Sequence, residues 1–287
     1  MGQKPGTVYL CATPIGNLED MTFRAVRILK EAAVIAAEDT RHTRRLLSHF
    51  DIHTPLVSYH EHNKLNRGPE LITRLLRGDD VAVVSDAGMP GISDPGVDLV
   101  KLAVAASIPV VPVPGANAAL SGLVCSGIDA TIFSFLGFLP KTKKKRHDLI
   151  TAWSNHRHTL VLYETPYRLQ ETLAELQECW GDRRAVAARE LTKKYEEFIR
   201  GSLSSLQEHF TQNPPRGEFT LIITGQQENV PVMQNSNDVS VYQLVMQSID
   251  NGDNKKDAIR KVASELGLPK REVYQAVVGH EAGQPED

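Results

Sequence analysis

The stretch from residue 81 to residue 96 constrains the fold more than any other part of this chain. The apolar run Val81–Val84 ends in a loop of serine, aspartate, proline and glycine, and an amphipathic segment follows it. This pattern predicts a buried strand, a loop and a helix, with Asp94 as the N-cap and Pro95 in the first helical position. Three glycines in the loop let a ligand approach the bare backbone. We interpret residues 85–96 as a ligand cradle, although a long loop that only turns the chain would have a similar composition.

The same alternation of strand and helix extends through the first 114 residues. We predict strands at residues 7–12, 33–37, 81–85 and 109–113, and helices at residues 23–31, 41–49 and 97–106. Alternation of this kind indicates a mostly parallel sheet with helices on both faces. Prolines and a glycine at residues 112–115 then mark a boundary, so residues 1–114 are assigned to an N-terminal α/β domain.

A second α/β domain is predicted for residues 115–226. Its strands are expected at residues 133–136, 159–163, 185–188, 197–200 and 219–224, and its helices at residues 143–155, 168–180 and 203–211. Residues 227–238 are rich in Gln, Asn, Pro and Ser, which is typical of a linker. The predicted fold class is therefore α/β, with two α/β/α domains, a ligand cleft between them and a small helical module after the linker.

That module, residues 239–287, has helical patterns at residues 241–249, 256–266 and 271–278. Gly267 suits the end of one helix and Pro269 the start of the next, which is the pattern of a helix-turn-helix. Six basic and two acidic residues lie between Lys255 and Arg271. This surplus of positive charge favours contact with nucleic acid, and a small packing or dimerisation appendage is the alternative.

The overall charge excludes a protein coated in positive charge, because the 287 residues carry a formal net charge of −3. Two basic clusters nevertheless stand out, at residues 41–45 and 141–147. They favour a polyanion bound at one face, and solvated helix starts are the alternative. The predicted RNA-binding residues are Arg41, His42, Arg44, Arg45, Lys141, Lys143, Lys144, Lys145 and Arg146.

Several classes of protein are disfavoured by motifs that the sequence lacks. No apolar run approaches the ~20 residues of a membrane span, and neither the G-x-G-x-x-G dinucleotide fingerprint nor a P-loop occurs. Three cysteines without C-x-x-C spacing suit a reducing cytoplasm and do not favour structural zinc. His60 and His62 alternate along the chain, but two ligands alone do not make a metal site. We therefore expect a cytoplasmic protein without metal or membrane contact.

Seven sequence blocks together resemble a known family. They are residues 7–48, 58–63, 85–96, 112–119, 137–140, 163–169 and 188–193. In this order they resemble the bacterial ribosomal RNA small subunit methyltransferase I family, which is similar to the tetrapyrrole methylases that use S-adenosylmethionine. Departures from the wider class are the first loop, residues 12–17, which replaces a G-x-G-P-G-D motif, and Met89, where threonine is expected. Ala116 and Asn117 replace a serine or proline.

The resemblance implies methylation of the ribose 2′-hydroxyl of a cytidine in the decoding region of 16S ribosomal RNA. It implies S-adenosylmethionine as cofactor, no metal, the small ribosomal subunit as partner and a homodimer. The cofactor-binding residues that it implies are Pro14, Ser85, Asp86, Ala87, Gly88, Gly91, Ile92, Asn117, Ala118, Tyr163, Glu164 and Leu191.

A ribose hydroxyl is a weak nucleophile and benefits from a positioned base. The candidates beside predicted turns and strand ends are Glu38, Asp39, His60, Glu61, Glu190 and Lys193. The pair Glu38 and Asp39 is preferred, because Arg41 and His42 follow it and offer contacts to phosphate. Two other functions remain open at this point: methylation of a small tetrapyrrole-like molecule, and DNA binding by a helix-turn-helix regulator that is not an enzyme.

Overall fold

The computed structural model describes residues 4–92, 94, 96–226 and 241–281. The chain divides into two compact units, residues 1–228 and residues 229–287. The predicted linker at residues 227–238 and the predicted first helical residue, Pro95, lie outside the described residues.

The first sheet of the larger unit is entirely parallel. Its strands are β1 (Val8–Cys11), β2 (Val34–Ala37), β3 (Leu56–Ser58), β4 (Val81–Val84) and β5 (Val110–Val113), in the order β3-β2-β4-β1-β5. The helices that connect these strands are α1 (Phe23–Glu31), α2 (Thr40–His49), α3 (Lys64–Leu76) and α4 (Gly96–Ala105), with a short 3-10 turn at Leu18–Asp20. Ile35 packs into the core on one face and Val34 into the core on the other. Burial on both faces explains why the central strands read as continuous apolar runs.

Strand β3 and helix α3 are not predicted from the sequence. The strand has only three residues, all half-buried at the edge of the sheet. The helix contains Gly68 and Pro69, which usually interrupt helices. A Cβ on Gly68 would lie 2.8 Å from the Leu102 side chain, so glycine permits the close packing of α3 against α4. Tertiary packing therefore overrides local propensity in this segment.

The second sheet is mixed. Its strands are β6 (Phe133–Phe138), β7 (Thr159–Glu164), β8 (Arg184–Arg189), β9 (Glu197–Ser202) and β10 (Phe219–Ile223), in the order β6-β7-β10-β8-β9. Only the pair β6 and β7 is parallel, and β10 runs against both of its neighbours. Phe219, the first residue of β10, therefore lies opposite Glu164 and Arg189, the last residues of β7 and β8.

Four helices accompany this sheet: α5 (Ala118–Ser126), α6 (Lys143–Ala152), α7 (Leu169–Trp180) and α8 (Leu203–Gln212). Helix α5 is not predicted from the sequence; its ends are Asn117, whose side chain caps it, and Gly127, with φ +75°. Along β7, Leu160 and Val161 pack into separate cores on the two faces of the sheet. The predicted fold class, α/β with two sheets flanked by helices and a small helical module after them, is confirmed.

The smaller unit contains helices α9 (Val241–Asp250), α10 (Lys255–Leu266) and α11 (Lys270–Glu281). They share an apolar core that includes Val245, Val262 and Val273. Gly267, with φ +65°, ends α10 and donates its N–H to the Ala263 carbonyl, as the sequence predicts for a C-terminal cap. Among the described residues of the whole chain, no helix is long and apolar enough to cross a membrane.

Arg146 is a correction to the predicted RNA-binding residues. It is buried on α6, and its guanidinium donates to Glu175 (Nε to Oε2, 2.6 Å) and Glu171 (Nη2 to Oε1, 2.5 Å) on α7. The sequence places Arg146 in a basic run, but the helical period turns this one member towards the core. Its charge is neutralised inside the fold and is not available to a phosphate.

We expect Arg146→Ala to lower the free energy of unfolding by roughly 3 kcal/mol, because Glu175 would remain buried without its partner. Lys145, its exposed neighbour, gives a matched control: Lys145→Ala should change the unfolding free energy by less than about 0.5 kcal/mol. Urea denaturation measures both. Equal effects of the two substitutions would show that the Arg146 ion pair contributes no net stability.

Candidate functional site

A cavity of about 340 Å³ lies where the carboxyl ends of the first sheet meet the second sheet. Both sheets, and the loops that follow their strands, contribute to its wall. The lining residues are Ile15, Glu38, Ser85, Asp86, Ala87, Gly88, Met89, Ile92, Asp94, Asn117, Ala118, Phe138, Tyr163, Glu164, Thr165, Ala188, Leu191, Lys193, Glu218, Phe219 and Thr220. Residues 85–89, 92 and 94 of the predicted cradle therefore form one wall of this cavity.

Two loops of the first sheet are joined at the floor of the cavity. Thr13 and Gly88 exchange two backbone hydrogen bonds, from Thr13 N to Gly88 O (2.9 Å) and from Gly88 N to Thr13 O (3.1 Å). The Ser85 hydroxyl also donates to Gly88 O, at 3.2 Å. Gly88 has φ +80°, a conformation that favours glycine. The loops after β1 and β4 therefore act as one unit.

The Asp94 side chain connects the middle of the cradle to the start of helix α4. Its carboxylate accepts hydrogen bonds from Gly91 N (2.8 Å) and Gly96 N (2.7 Å). The bond from Gly96 has the form expected of an N-cap at the start of α4. Gly91 has φ +89°, and a Cβ on Gly96 would lie 2.8 Å from the Asp94 carboxylate. Both positions therefore favour glycine, one for its backbone conformation and one for space.

The start of helix α5 faces the same cavity. The Asn117 side chain accepts a hydrogen bond from Leu120 N (3.0 Å), and the Tyr163 hydroxyl accepts one from Ala119 N (3.2 Å). Burial raises the pKa of the Tyr163 hydroxyl, and the hydrogen bond from Ala119 only partly offsets this effect. Tyr163 therefore stays neutral and ties the second sheet to the first turn of α5.

Acidic residues dominate the charge of the cavity wall on the side of the first sheet. Burial, together with the nearby charges of Asp86 and Asp94, raises the pKa of the Glu38 carboxyl. Asp86 Oδ1 accepts a hydrogen bond from Asp39 N at 3.0 Å, which connects the ends of β2 and β4. Glu38 is therefore a half-buried carboxyl group whose ordinary affinity for a proton is increased.

The segment from Glu190 to Lys193 connects the second sheet to the first loop. Glu190 and Thr192 have φ values of +50° and +67°, both in the left-handed region that non-glycine residues rarely occupy. The Thr192 hydroxyl accepts a hydrogen bond from Asn17 N at 3.1 Å. A Cβ on Gly16 would lie 2.4 Å from the Lys193 side chain, so the lysine stem passes directly over that glycine. Strained backbone at this point accompanies a contact between the two sheets.

Lys193 is held by two carboxylates. Its Nζ lies 2.9 Å from Glu190 Oε1 and 2.7 Å from Glu218 Oε2. Burial by itself lowers the pKa of the Lys193 ammonium, but its hydrogen bonds to Glu218 and Glu190 outweigh burial and raise the pKa. Lys193 is therefore protonated and does not serve as a base.

Of the six predicted catalytic candidates, Glu38 and Lys193 line the cavity. The other four are outside the lining. Hydrogen bonds from Arg41 lower the pKa of the Asp39 carboxyl to about 2. Glu61 is exposed and pairs with Lys64.

The remaining two candidates are engaged elsewhere. His60 is half-buried beside His62, with ring centroids 6.0 Å apart. Glu190 accepts hydrogen bonds from Lys193 and from the backbone N–H of Glu218. These positions leave Glu38 as the one carboxyl among the six catalytic candidates that lines the cavity.

Ten of the twelve predicted cofactor-binding residues line the cavity, and Pro14 and Gly91 do not. Among the ten, the Glu164 carboxylate is turned away from a ligand: it is buried and accepts hydrogen bonds from the Thr172 hydroxyl (2.7 Å) and Thr165 N (2.8 Å). Sequence reasoning missed several lining residues. They are Ile15, Phe138, Thr165, Ala188, Glu218, Phe219 and Thr220. Most lie at the ends of strands of the second sheet, and the last three depend on the reversed direction of β10.

The predicted RNA-binding residues other than Arg146 are exposed. Arg41 pairs with Asp39, whereas Arg44, Arg45, Lys141 and Lys143–Lys145 form no ion pair with any described residue. Both clusters follow strand ends at the cavity: Glu38, directly after β2, and Phe138, the last residue of β6, line it, and α2 and α6 come next in the chain. The exposed positive charge therefore lies on the two helices that follow those strands.

In the smaller unit, two of the basic residues of α10 are paired. Arg260 lies 2.8 Å from Asp257, and Lys261 lies 3.3 Å from Asp253. Lys270 and Arg271, at the start of α11, are exposed. Among the described residues of the whole chain, no group of three or more His, Cys, Asp and Glu side chains has an arrangement that holds a metal ion.

Comparison with known proteins identifies the family. The family model named Tetrapyrrole (Corrin/Porphyrin) Methylases matches residues 7–207. Ribosomal RNA small subunit methyltransferase I of Halalkalibacterium halodurans is 50% identical over 270 residues, which cover 94% of this chain and 93% of the relative. The protein of the same name from Bacillus subtilis is 47% identical over 274 residues, 94% of each chain. This chain belongs to the ribosomal RNA small subunit methyltransferase I family.

Family membership confirms the resemblance found in the sequence and sets aside the alternative of a regulator that is not an enzyme. The fold is also that of a solved structure, uroporphyrin-III C-methyl transferase from Thermus thermophilus complexed with S-adenyl homocysteine. The likeness covers 76% of this chain and 97% of that chain, with a TM-score of 0.54 and 20% sequence identity. At this identity the likeness extends to the fold alone.

Proposed function

We propose that this chain uses S-adenosylmethionine to methylate the ribose 2′-hydroxyl of a cytidine in the decoding region of 16S ribosomal RNA. The observation that carries the proposal is a cavity between the two sheets, walled by glycine loops and carboxylates, in a chain 50% identical to a ribosomal RNA small subunit methyltransferase I. The nucleotide and the position on its ribose rest on the sequence resemblance.

The residues of the cavity fit the proposed cofactor. The cavity volume of about 340 Å³ suits a ligand of the size of S-adenosylmethionine. Asp86 offers negative charge to the cationic sulfonium and ammonium groups, whereas Ile92 and Leu191 offer apolar surface to the adenine ring. S-adenosylmethionine, when bound, supplies a methyl group on a positively charged sulfur. A water-poor pocket favours transfer, because that charge is lost as the reaction proceeds.

Direct methyl transfer tests the proposal. Enzyme with radiolabelled S-adenosylmethionine should label small ribosomal subunits, and nuclease digestion should yield a 2′-O-methylcytidine. Ala118→Leu fills the cavity and should abolish both cofactor binding in calorimetry and labelling. Ala105→Leu, on the exposed face of α4, is the matched control and should change neither. Labelling of free porphyrinoid precursors in place of RNA would overturn the proposal in favour of tetrapyrrole methylation, the function that the family model's name suggests.

We propose Glu38 as the general base. The acceptor oxygen would form its bond to the methyl carbon as the bond from that carbon to the cofactor's sulfur breaks and the hydroxyl proton leaves. A carboxylate with increased proton affinity is suited to receive that proton. Burial and the charges of Asp86 and Asp94 raise the Glu38 pKa in this way. Lys193, the other candidate in the cavity wall, is already protonated by its pairing with two carboxylates.

Glu38→Gln should lower kcat by about 10²- to 10⁴-fold while cofactor binding persists, because the amide cannot accept the proton. In the unsubstituted enzyme kcat/KM should rise with pH as Glu38 of the free enzyme ionises, with a midpoint above the ordinary carboxyl value of 4.5. That acidic limb should be absent from the variant. Glu61→Gln, at a candidate carboxyl outside the cavity, is the control. Retention of the rate and of the acidic limb in Glu38→Gln would exclude Glu38 as the base.

We propose that the exposed basic clusters on α2 and α6 bind RNA phosphates. Replacing Arg44, Arg45, Lys141 and Lys143–Lys145 by glutamine should flatten the dependence of log binding constant on log salt concentration by about 0.7 for each phosphate that is no longer neutralised. Cofactor affinity should not change. The double variant Lys30→Gln, Arg77→Gln is the control. Both residues are exposed, at the ends of α1 and α3, and they precede the amino ends of β2 and β4. They therefore lie at the edge of the first sheet opposite the cavity. An unchanged slope in the cluster variant would show that these charges serve only solubility.

The homodimer, the cytoplasmic location and the RNA contact of residues 239–287 stay predictions. Lys256, Lys270 and Arg271 are among the exposed basic residues of the smaller unit and support the last of these.

A further inference from the structure

A turn at the rim of the cavity presents a fully exposed aromatic ring. Tyr167 follows β7 and is 96% exposed, whereas Thr165, two residues before it, lines the cavity. Exposure of this extent leaves both faces of the ring open to solvent. Neither packing nor hydrogen bonding to the described residues accounts for a tyrosine at this position.

The turn is nevertheless fixed in place. Arg168 N and Leu169 N both donate to the Thr165 carbonyl, at 3.2 and 3.1 Å. Arg168 Nη2 donates to the carbonyls of Leu139 (3.1 Å) and Pro140 (3.2 Å) in the loop between β6 and α6. The ring of Tyr167 is therefore carried on a turn that is attached to the neighbouring loop. Little backbone conformational entropy would be lost when a ligand binds to this ring.

A second ring and the basic cluster lie on either side of that neighbouring loop or within it. Phe138, the last residue of β6, is 53% exposed, lines the cavity and lies with its ring centroid 5.4 Å from that of Tyr163. Lys141 and Lys143–Lys145 follow it and are exposed. Aromatic faces beside exposed positive charge are the composition of surfaces that bind single-stranded nucleic acid, because rings stack on bases and lysines contact phosphates.

We propose that Tyr167 and Phe138 form a stacking platform for unpaired bases next to the methylated nucleotide, with the lysines at residues 141–145 along the phosphates. This inference rests on the proposed function, since it supposes an RNA substrate. Bases in a duplex are stacked on each other and hide their faces, so the platform requires a single-stranded segment. The proposal therefore specifies the substrate: RNA that is unpaired where it meets the cavity rim.

Substitutions at Tyr167 separate stacking from mere surface area. Tyr167→Leu keeps apolar bulk without a π-face and should lower kcat/KM for small ribosomal subunits by about 5- to 150-fold, the loss of one base–ring stack. Tyr167→Phe keeps the ring and should stay within about twofold of the unsubstituted enzyme. Cofactor binding should be the same in both, because the ring of Tyr167 is not part of the cavity lining.

Fluorescence supplies a readout that does not depend on catalysis. Full-length Tyr167→Trp should be quenched by single-stranded oligouridylate beyond the change seen in the unsubstituted enzyme, whose tryptophans are Trp153 and Trp180. The same oligouridylate annealed to oligoadenylate should quench it weakly or not at all. Equal quenching by single strand and duplex would overturn the requirement for unpaired bases.

The outcomes distinguish this inference from the proposed function. If the unsubstituted enzyme labels no RNA but single strands quench Tyr167→Trp, the proposed function fails and the stacking platform stands. If the unsubstituted enzyme labels RNA and Tyr167→Leu matches it, the platform is overturned and the function stands. If Tyr167→Leu changes the sedimentation of the protein, the ring belongs to an interface with a second copy, and the platform is again overturned.

Discussion

The pairing of Thr13 with Gly88 is the contact on which the cavity depends. Two backbone hydrogen bonds join the loops after β1 and β4, which belong to adjacent strands of a parallel sheet. The carboxyl ends of such strands meet at one edge, so their loops are the natural place for a ligand. The left-handed conformation of Gly88 turns the second loop back towards the first, and Asp94 then closes its far end by accepting the N–H groups of Gly91 and Gly96. Each of these contacts uses a backbone N–H or C=O group, so hydrogen bonds to the backbone hold the two loops in place.

The second sheet completes the cavity because its central strand is reversed. In a wholly parallel sheet, the start of β10 would lie at the opposite edge. As β10 runs against β7 and β8, Phe219 instead lies level with the last residues of those strands, and Glu218 and Thr220 reach the cavity with it. Glu218 then holds Lys193, whose stem passes over Gly16 of the first sheet's loop. The strained residues Glu190 and Thr192 lie on either side of Leu191, and the contacts between the sheets maintain the backbone conformation there.

This reversal also marks the limit of what the sequence predicts. The loop at residues 85–96 is identifiable from composition, because glycine, proline and aspartate after a β-branched run have direct conformational meanings. Strand direction has no comparable local signature, so Glu218, Phe219 and Thr220 are not recognisable as lining residues until β10 is placed. Helix α3 is missed for a related reason: Gly68 breaks the local pattern, and its purpose is visible only in the close approach of Leu102. Arg146 is indistinguishable from its lysine neighbours in sequence, since only the helical phase relative to Glu175 decides that it is buried.

Negative and positive charge lie in separate regions of the protein, which suit the two proposed ligands, a cationic cofactor and an RNA polyanion. Carboxylates line the cavity, where burial and the charges of neighbouring carboxylates together raise the pKa of Glu38. Exposed lysines and arginines lie outside it on α2 and α6, so the small net charge of −3 conceals two separated regions of opposite sign. A small cationic ligand is therefore favoured inside and a polyanion outside. A phosphate drawn into the cavity would meet Glu38 and Asp86, whereas the exposed Lys141 and Lys143–Lys145 lie outside the cavity lining. Under the proposed function, this opposition would keep the RNA backbone at the surface and let an uncharged group of the RNA, such as a sugar hydroxyl, approach the Glu38 carboxylate.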